Sequence, residues 1–413
     1  MFRDRIYGGI LKLFTIPTTY NLADIVLINT LSNTHVGIGR SGGLVDLPIQ
    51  RDEIGFPVIY SSSIKGALKT ALLHAFLTKH NDYNKAKYAV NTLLGPEPEE
   101  GESFESSIAI LDAYLLAIPV RSLKGVYAYV TSPTLLRRFK DRLDVYHKFI
   151  GKLHVEEGKK QQIELSLALD EVLNKATNIV EDEALCLNEN GCKHIKVEHE
   201  EIESLQGKAV LVEEFIINID VKFFKDLSDD FKKELKKLLN LFDKPLLILH
   251  DDVAKEVINR SLIRLARVRL KRETKTVSAG PWIEEYLPTK TIFHTLFLYK
   301  RPPLTENIVR RILTKLGENI DKDEDENYLK LLLKLGILSE EIKKKLEKEI
   351  KSPNARKIDI ELELVNDIRN QLWDIISKEL QGFIIIGGKE TIGKGIVELI
   401  NYTSLMKRWV HGG

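Results

Sequence analysis

The chain has 413 residues, 43% of them apolar, which suits two or three average domains or one domain with large insertions. Its 61 basic and 60 acidic residues nearly cancel, so any binding to nucleic acid has to rest on local clusters of Lys and Arg. No apolar run of membrane-spanning length and no signal peptide is visible, so a cytoplasmic protein with no membrane partner is expected.

The first predicted element is a strand, because the run from Leu22 to Leu31 is rich in β-branched residues. It leads into a Gly-rich loop, HVGIGRSGGLVD, and then into the segment GFPVIYSSS. The serines at 61–63 offer N-cap oxygens for a helix that begins near Ile64 and has one apolar face. Lys65 and Lys69 lie on another face near its start.

Two titratable residues, His35 and Asp46, bracket the Gly-rich loop, with Arg40 and Arg51 close to them in sequence. Taken alone, an Asp in such a loop is most simply a turn residue. No Ser–His–Asp arrangement and no HExxH metal site can be read elsewhere in the chain. The residues by themselves therefore leave the chemistry of this loop open.

Further strand-like segments alternate with charged or Pro-rich segments that resemble insertions. Strands interleaved with helices, without regular βαβ units, predict an α+β fold in which helices cover one side of a sheet. The strand-like segments are residues 107–118, 125–130, 208–221, 262–270, 291–299 and 382–386, and the insertion-like ones are 81–106, 137–206 and 305–378.

The segment PVRSLKGVYAYVTSP carries Arg121 and Lys124, and it places Tyr127 and Tyr129 on one face of a strand. This combination is typical of sheets that stack RNA bases. A buried pair of tyrosines explains the pattern equally well, so both interpretations stay open.

The two cysteines lie in CLNENGCKHIKVEH, where Cys186, Cys192, His194 and His199 offer four potential zinc ligands. Their spacing matches no standard zinc module, and a disulfide is the alternative if the source is a hyperthermophile. The simplest interpretation is an exposed loop with unrelated polar residues.

The strongest basic cluster is RSLIRLARVRLKRETK, which predicts a strand with one basic face because charged and apolar residues alternate. It continues into TVSAGPWIEEYLP, where Gly280 and Pro281 are predicted turn residues. A projecting basic hairpin that ends in aromatic residues suits RNA backbone contact and base stacking. A strand edge protected by charge is the alternative. The residues concerned are Arg267, Arg269, Lys271, Trp282 and Tyr286.

Near the end of the chain, GGKETIGKG fits most of a nucleotide-binding P-loop. Gly395 stands where such a loop needs Ser or Thr, and only 18 residues follow, so an NTPase is not expected. The loop N–H groups, with Lys389 and Lys394, suit a phosphate of a polynucleotide. A purely structural glycine turn is the alternative.

Four of these motifs, in their order along the chain, resemble the RAMP superfamily of Cas proteins. Within that superfamily they resemble the repeated backbone subunit of the type III-B (Cmr) effector complex. The matching stretches cover about a quarter of the chain. They are HVGIGRSGGLVDLPIQRDEIGFPVIYSSSIKGALKTAL, PVRSLKGVYAYVTSP, RVRLKRETKTVSAGPWIEEYLP and GGKETIGKGIV.

The resemblance implies an RRM-like, ferredoxin-like palm with helical insertions and a protruding β-hairpin thumb. It divides the chain into an N-terminal extension (1–22), palm segments (23–74, 107–136, 207–258, 291–300 and 381–413), insertions (75–106, 137–206 and 301–380) and a thumb hairpin (259–290).

The resemblance also implies a function. Copies of the chain are expected to stack into a filament along a CRISPR RNA, together with other Cmr-type subunits. The chain itself is then expected to act as a metal-dependent endoribonuclease that cuts guide-matched single-stranded target RNA at regular intervals. In this comparison Asp46, in the LVD motif, is the catalytic residue. His35 is a candidate proton shuttle.

An ordinary aspartate is a poor base for a 2′-hydroxyl at neutral pH. Asp46 is therefore expected to bind Mg²⁺ or Mn²⁺, or to orient the RNA. The predicted RNA-binding residues are Arg51, Lys65, Lys69, Arg121, Lys124, Arg267, Arg269, Lys271, Trp282, Glu285, Tyr286, Gly387, Gly388, Lys389, Gly393 and Lys394.

Two rival functions remain. The first is a non-catalytic, structural RNA-binding subunit of the filament. The second is a stand-alone RNA-processing enzyme of the same superfamily, for which His35 alone gives little support.

Overall fold

A computed structural model describes residues 19–98, 104–150, 156–187, 189–197, 205–220, 224, 227–351 and 357–405, so most of the predicted N-terminal extension lies outside the described residues. Within these ranges no helix is long and apolar enough to cross a membrane. The chain divides into two compact units. We call Met1–Ala23, Lys65–Ile110 and Phe297–Gly382 the helical unit, and Asp24–Ile64, Leu111–Leu296 and Phe383–Gly413 the sheet unit.

Strands and helices alternate along the chain, and the predicted α+β class is confirmed. The strands are β1 (Leu22–Thr30), β2 (Val58–Ile59), β3 (Ile108–Ile110), β4 (Ala113–Ser122), β5 (Val126–Thr131), β6 (Glu183–Cys186), β7 (Lys208–Leu211), β8 (Phe215–Asp220), β9 (Leu246–Leu249), β10 (Ile263–Leu270), β11 (Val277–Tyr286), β12 (Ile292–Tyr299), β13 (Phe383–Ile385) and β14 (Ile396–Asn401). The helices are α1 (Ser61–His80), α2 (Tyr83–Leu94), α3 (Pro133–Ile150), α4 (Glu156–Ala176), α5 (Glu189–Lys193), α6 (Asp229–Leu239), α7 (Asp251–Ser261), α8 (Glu306–Lys315), α9 (Glu324–Lys334), α10 (Glu340–Ile350) and α11 (Lys357–Lys378).

The main sheet begins with the order β13-β14-β1-β12-β4. Strand β1 lies inside this order and is buried on almost every residue, which explains its continuous apolar sequence. From β4 the order continues through β5, β9, β6 and β8 to β7, and β7 pairs back onto β4 through Ser122 and Leu211. These six strands therefore close into a ring in the sheet unit.

Strand β6 was not predicted, because residues 137–206 were expected to be helical or irregular. The structure gives helices α3 and α4 there, but it also places β6 between β9 and β8. Only four residues long, β6 is too short to show a periodic pattern in the sequence.

The helical unit contains helices α8 to α11, in the segment predicted to be a helical insertion. Asp323 caps the N-terminus of α9 and Ser339 that of α10, each by accepting hydrogen bonds from backbone N–H groups of the first turn. Their apolar faces form a core around the buried side chains of Tyr328 and Leu364. Trp373 donates a 3.0 Å hydrogen bond to the hydroxyl of Tyr299 at the end of β12.

Strands β10 and β11 form a separate two-stranded antiparallel sheet. The turn lies between Lys271 and Thr276, whose backbone groups are joined by a 2.8 Å hydrogen bond. Gly280 and Pro281, predicted to form the turn, instead lie inside β11 in a bulge opposite Val268. The predicted position of the turn is therefore wrong. A glycine with a positive φ suits a bulge as well as a turn, so Gly280 alone did not distinguish the two.

Helix α1 begins at Ser61, earlier than predicted. The N–H of Ser61 donates to Asp112 Oδ1 at 2.7 Å, so a carboxylate distant in sequence satisfies one of the free amides at the start of the helix.

Cys186 and Cys192 form a disulfide, and both side chains are buried. The prediction of an exposed loop is therefore wrong for the two cysteines, because β6 and α5 place them in the core. His194 is exposed, and His199 lies outside the described residues.

Candidate active site

Strand β11 organises the candidate site through its backbone. The N–H of Ile283 donates to Asp46 Oδ2 at 2.7 Å, and the backbone of Leu47 pairs with Ile283 O and Glu285 N, each at 3.0 Å. Two residues beyond Ile283, the carbonyl oxygen of Glu285 lies 2.7 Å from His35 Nδ1. The two predicted catalytic residues are thus both attached to one short stretch of β11.

The Gly-rich loop between His35 and Ile49 is closed by its own backbone. Gly37 pairs with Ile49 at its base, and the N–H of Ser41 donates to the carbonyl of Asp46 at 2.8 Å. Asp46 is half-buried where the loop meets β11. Both its main chain and its side chain are therefore fixed.

His35 is buried, and its ring is tilted against that of Tyr286 with 5.5 Å between the centroids. A carbonyl oxygen only accepts hydrogen bonds, so we assign the ring hydrogen to Nδ1. In the neutral ring Nε2 then carries the lone pair and is able to accept a proton.

Glu284 is a functional candidate that the sequence motifs did not indicate. Its carboxylate is 1% exposed and accepts hydrogen bonds from Lys389 Nζ at 2.7 Å, from Trp282 Nε1 at 2.8 Å and from the Tyr286 hydroxyl. Burial alone would raise the pKa of Glu284, but these hydrogen bonds outweigh burial and lower the pKa to about 2. An ionised carboxylate at the centre of the site follows. Strand periodicity was the available signal, because Trp282, Glu284 and Tyr286 alternate onto one face.

Glu285 points to the opposite face of β11 and binds Arg51 through both carboxylate oxygens, at 2.9 and 3.0 Å. Arg264 Nη2 lies 3.2 Å from Oε1, and the N–H of Ile49 is 3.3 Å from Oε2. Although burial raises the pKa of Glu285, these donors, led by Arg51, outweigh burial and leave the pKa lowered. Arg51 and Glu285, both predicted to bind RNA, thus bind each other and join the segment after the Gly-rich loop to the hairpin.

The C-terminal glycine loop packs against His35. A Cβ on Gly387 would lie 2.2 Å from the His35 carbonyl oxygen, and the N–H of Gly388 donates to that oxygen at 2.9 Å. Lys389 binds Glu284, while Lys394 Nζ lies 5.5 Å from the centroid of the Tyr286 ring. Gly393, with φ +73°, donates its N–H to Glu390 O. The predicted loop is therefore next to His35 and is bound to β11 through Glu284.

The basic residues of the hairpin extend away from this cluster along β10. Arg267 Nε lies 3.9 Å from Glu284 Oε2, whereas Arg269 and Lys271 are exposed nearer to the turn. They add positive charge to the exposed part of the hairpin.

Four predicted RNA-binding residues make no contact with the residues of this cluster among the described contacts. Arg121 and Lys124 are exposed at the β4–β5 turn, where Arg121 forms a two-point ion pair with Glu213. Lys65 and Lys69 belong to the helical unit, where Lys69 binds Glu97 at 2.6 Å.

Burial, together with the nearby charge of Lys69, lowers the pKa of Lys65, although Glu97 opposes the shift. An anion placed beside this half-buried amine would favour its charged form.

The two tyrosines near Arg121 form hydrogen bonds to another side chain of the protein. The hydroxyls of Tyr127 and Tyr129 both donate to Asp243, at 2.7 and 3.2 Å, and Tyr129 is buried. The buried-pair interpretation therefore fits Tyr129. Tyr127 remains half-buried at the surface.

Metal-ligating side chains do not cluster in the described part of the chain, where no group of three or more His, Cys, Asp or Glu residues converges. Asp46 is the only predicted metal ligand in the loop, and one of its oxygens is already bound to Ile283.

The fold and the site together define a mixed α+β protein whose candidate site combines a Gly-rich loop, a basic hairpin and a C-terminal glycine loop. Residues 27–398 match the RAMP superfamily, and the chain belongs to this family. The predicted resemblance is thereby confirmed.

The relatives within the family are more specific. The CRISPR system CMR subunit Cmr4 of Saccharolobus solfataricus is 33% identical over 311 residues, covering 73% of this chain and 92% of the relative. The CRISPR system Cmr endoribonuclease Cmr4 of Pyrococcus furiosus is 32% identical over 298 residues, covering 72% and 88%. The predicted relationship to the type III-B (Cmr) backbone subunit is therefore also confirmed.

Solved structures agree with these relatives. A cryo-EM structure of a type III-B Cmr-beta complex in the apo state contains a chain with a TM-score of 0.58 and 27% identity, covering 94% of this chain and 99% of that one. The same type of complex bound to cognate target RNA gives a TM-score of 0.57 at 28% identity, with the same coverage.

Proposed function

We propose that this chain is the CRISPR RNA-binding backbone subunit of a type III-B effector complex and cleaves guide-matched target RNA at regular intervals. The observation that carries the proposal is the attachment of Asp46 and His35 to backbone groups of β11 two residues apart, on either side of Glu284, which binds Lys389. One relative is named an endoribonuclease, and one similar structure holds target RNA, which supports the same activity here.

Four kinds of partner belong to this proposal: CRISPR RNA, single-stranded target RNA, further copies of the chain in a filament, and other Cmr-type subunits. The antiparallel strands around β1 correspond to an RRM-like palm, and the separate β10–β11 hairpin corresponds to the thumb. A thumb of this kind has Arg269 and Lys271 free to neutralise phosphates, while guide pairing reads the sequence.

The proposed chemistry is attack of a target 2′-oxygen on the adjacent phosphate. The bond between phosphorus and the 2′-oxygen forms, the bond between phosphorus and the 5′-oxygen breaks, and the leaving 5′-oxygen takes up a proton from water. His35 Nε2 is the acceptor available for the 2′-hydroxyl proton, and Asp46 orients the nucleotide from a fixed position on β11. Holding the 2′-oxygen in line with the phosphate supplies much of the rate.

A divalent cation, Mg²⁺ or Mn²⁺, is part of the proposal, with Asp46 as its protein ligand. Mg²⁺ is typically held by one or two carboxylates together with substrate phosphates and water. One free oxygen of Asp46 fits such a shared site, whereas Glu284 and Glu285 are already bound by Lys389 and Arg51. When bound, the cation would stabilise negative charge on the reacting phosphate.

The test is a pair of variants, Asp46→Ala and Asp46→Asn, assembled with guide RNA and the other subunits. We expect both to lose periodic cleavage of matched RNA while keeping guide RNA and complex size. Asp46→Asn keeps an oxygen that accepts the hydrogen bond from the Ile283 N–H, so the loop structure should be kept. Loss of activity in this variant would show that cleavage needs the negative charge of Asp46.

The control for these variants is Asp182→Asn, which changes an exposed carboxylate in the turn before β6 and should cut normally. Periodic cleavage that survives Asp46→Ala would favour the non-catalytic subunit. Activity that is unchanged by EDTA would count against the cation. An isolated chain that cuts precursor RNA would favour the processing enzyme.

A further inference from the structure

The tip of the Gly-rich loop, Ser41 to Asp46, is an ordered turn. Its ends are joined by the 2.8 Å hydrogen bond from Ser41 N–H to Asp46 O, and the N–H of Gly43 donates to Ser41 Oγ at 3.1 Å. The carboxylate of Asp46 is in turn held by Ile283. The tip of the loop is therefore held at a fixed position relative to Asp46.

Leu44 stands at this tip and is 95% exposed, a larger fraction than for any other large apolar side chain in the described ranges. Ile38, at the other side of the loop, is 62% exposed. A single exposed apolar residue is ordinary on a protein surface and carries no conclusion by itself. The neighbouring glycines supply an independent observation.

Gly42 is not required by the fold. Its φ lies outside the region that favours glycine, and a Cβ added to it would meet nothing within 4 Å. Gly43 would gain only an ordinary contact, at 3.4 Å from Ser41 Oγ. Gly387 shows the opposite case, because the His35 carbonyl leaves it no room for a side chain. Glycine that the chain itself does not need is explained when the backbone of a ligand approaches closely.

We propose that this tip is a contact surface for the target RNA strand and that Leu44 is a positioning residue for cleavage. The sugar-phosphate backbone passes over Gly42 and Gly43, and Leu44 packs against the nucleotide beside the cut. The inference rests on the proposed function, since it assigns a further contact to the same site.

Three features of the turn fit single-stranded RNA. Leu side chains are used as apolar wedges against nucleic-acid bases. Arg40, exposed on the same loop, supplies a cation for a phosphate. The closed turn sets the spacing between Leu44 and Asp46, and this spacing decides whether the 2′-oxygen reaches its in-line position.

The experiment compares Leu44→Ala and Gly42→Ala with the wild-type chain in the fully assembled, guide-loaded complex. We expect each variant to lower the single-turnover cleavage rate at saturating target by roughly ten- to a hundredfold. Target affinity should change little, because guide pairing provides it. The unfolding temperature should also stay the same, since Leu44 is almost fully exposed and a Cβ at Gly42 meets open space. Leu44→Met should recover much of the rate.

A second readout does not depend on cutting. A target that carries 2-aminopurine beside the cleavage position should change its fluorescence on binding to the wild-type complex, and less so with Leu44→Ala. A wild-type complex that shows this change but does not cut would refute the proposed activity and leave the contact standing.

The matched control is Leu167→Ala, which removes an exposed leucine from helix α4 and should leave cleavage and fluorescence unchanged. Wild-type cleavage rates in both Leu44→Ala and Gly42→Ala would overturn the inference. So would a defect that appears as shorter filaments with a normal rate per assembled complex, because Leu44 would then contact another copy of the chain.

Discussion

Glu284 is the residue on which the electrostatics of the candidate site converge. It is ionised although buried, because Lys389, Trp282 and Tyr286 donate to it from two different parts of the chain. Without Glu284, the cation of Lys389 would lose its buried partner, and the C-terminal glycine loop would lose one attachment to β11. Glu284 therefore links stability to the geometry around His35.

The pH dependence of stability tests this role. The folded pKa of about 2 lies below the ordinary value of 4.5, so the stabilisation is present above about pH 4.5 and is lost as the pH falls towards 2. We expect Glu284→Gln to lower the free energy of unfolding by on the order of 3 kcal/mol at pH 7, with a difference from wild type that shrinks towards pH 2. Urea denaturation over this pH range measures it.

Glu213→Gln is the control for that measurement. Its ion pair with Arg121 is exposed on both sides, so the expected change is below about 1 kcal/mol at every pH. A deficit of Glu284→Gln that stays constant from pH 7 to pH 2 would show that lost packing, and not lost charge, explains its effect.

Individual residues differed in how far the sequence could predict them. The motifs led to Asp46 and His35, and the structure attaches both to one strand. The ion pair between Arg51 and Glu285 could not be predicted, since 234 positions separate the two residues and only the folded chain brings them together. Pairing of charges across such distances has no local signal.

The β10–β11 hairpin was predictable as an element, because alternating basic and apolar residues mark a strand with two unlike faces. The position of its turn was not predictable, since glycine with a positive φ suits a bulge as well as a turn, and Gly280 lies in a bulge. A Cβ on Gly280 would lie 2.8 Å from Arg267 O and 2.9 Å from the Trp282 ring. The bulge thus fixes Trp282 and directs its Nε1 to Glu284.

Gly280→Ala tests the element. The added methyl group collides with backbone and ring, and the φ of +101° is itself unfavourable for alanine. We expect faster hydrogen exchange of β10 and β11 amides, while the rest of the sheet unit keeps its protection. Gly317 also has a positive φ, of +72°, but a Cβ there meets nothing within 4 Å, so Gly317→Ala should leave the hairpin unchanged. Unaltered hairpin exchange in Gly280→Ala would mean that the bulge tolerates a side chain.

At the scale of the whole molecule, the α+β class was predictable and the six-strand ring was not. The ring depends on two parallel pairings, β5 with β9 and β6 with β8, between segments far apart in sequence. Residues 137–206 were predicted to be an insertion, for which contact with neighbouring copies of the chain would be the simplest role. The structure gives that segment a second role, because Leu185 in β6 is buried between two other strands.

Proline substitution separates these two roles. Leu185→Pro removes a backbone donor and adds a ring in a strand that has neighbours on both sides, so we expect a loss of about 3 kcal/mol or more in the free energy of unfolding of the isolated chain. Ile385→Pro is the matched control in the edge strand β13. Ile386 N–H bonds inward to Gly395 O, so by strand alternation the N–H of Ile385 points outward and little should be lost. Urea denaturation measures both variants. If Leu185→Pro left the isolated chain as stable as wild type but blocked filament assembly, the segment would act only through neighbouring copies.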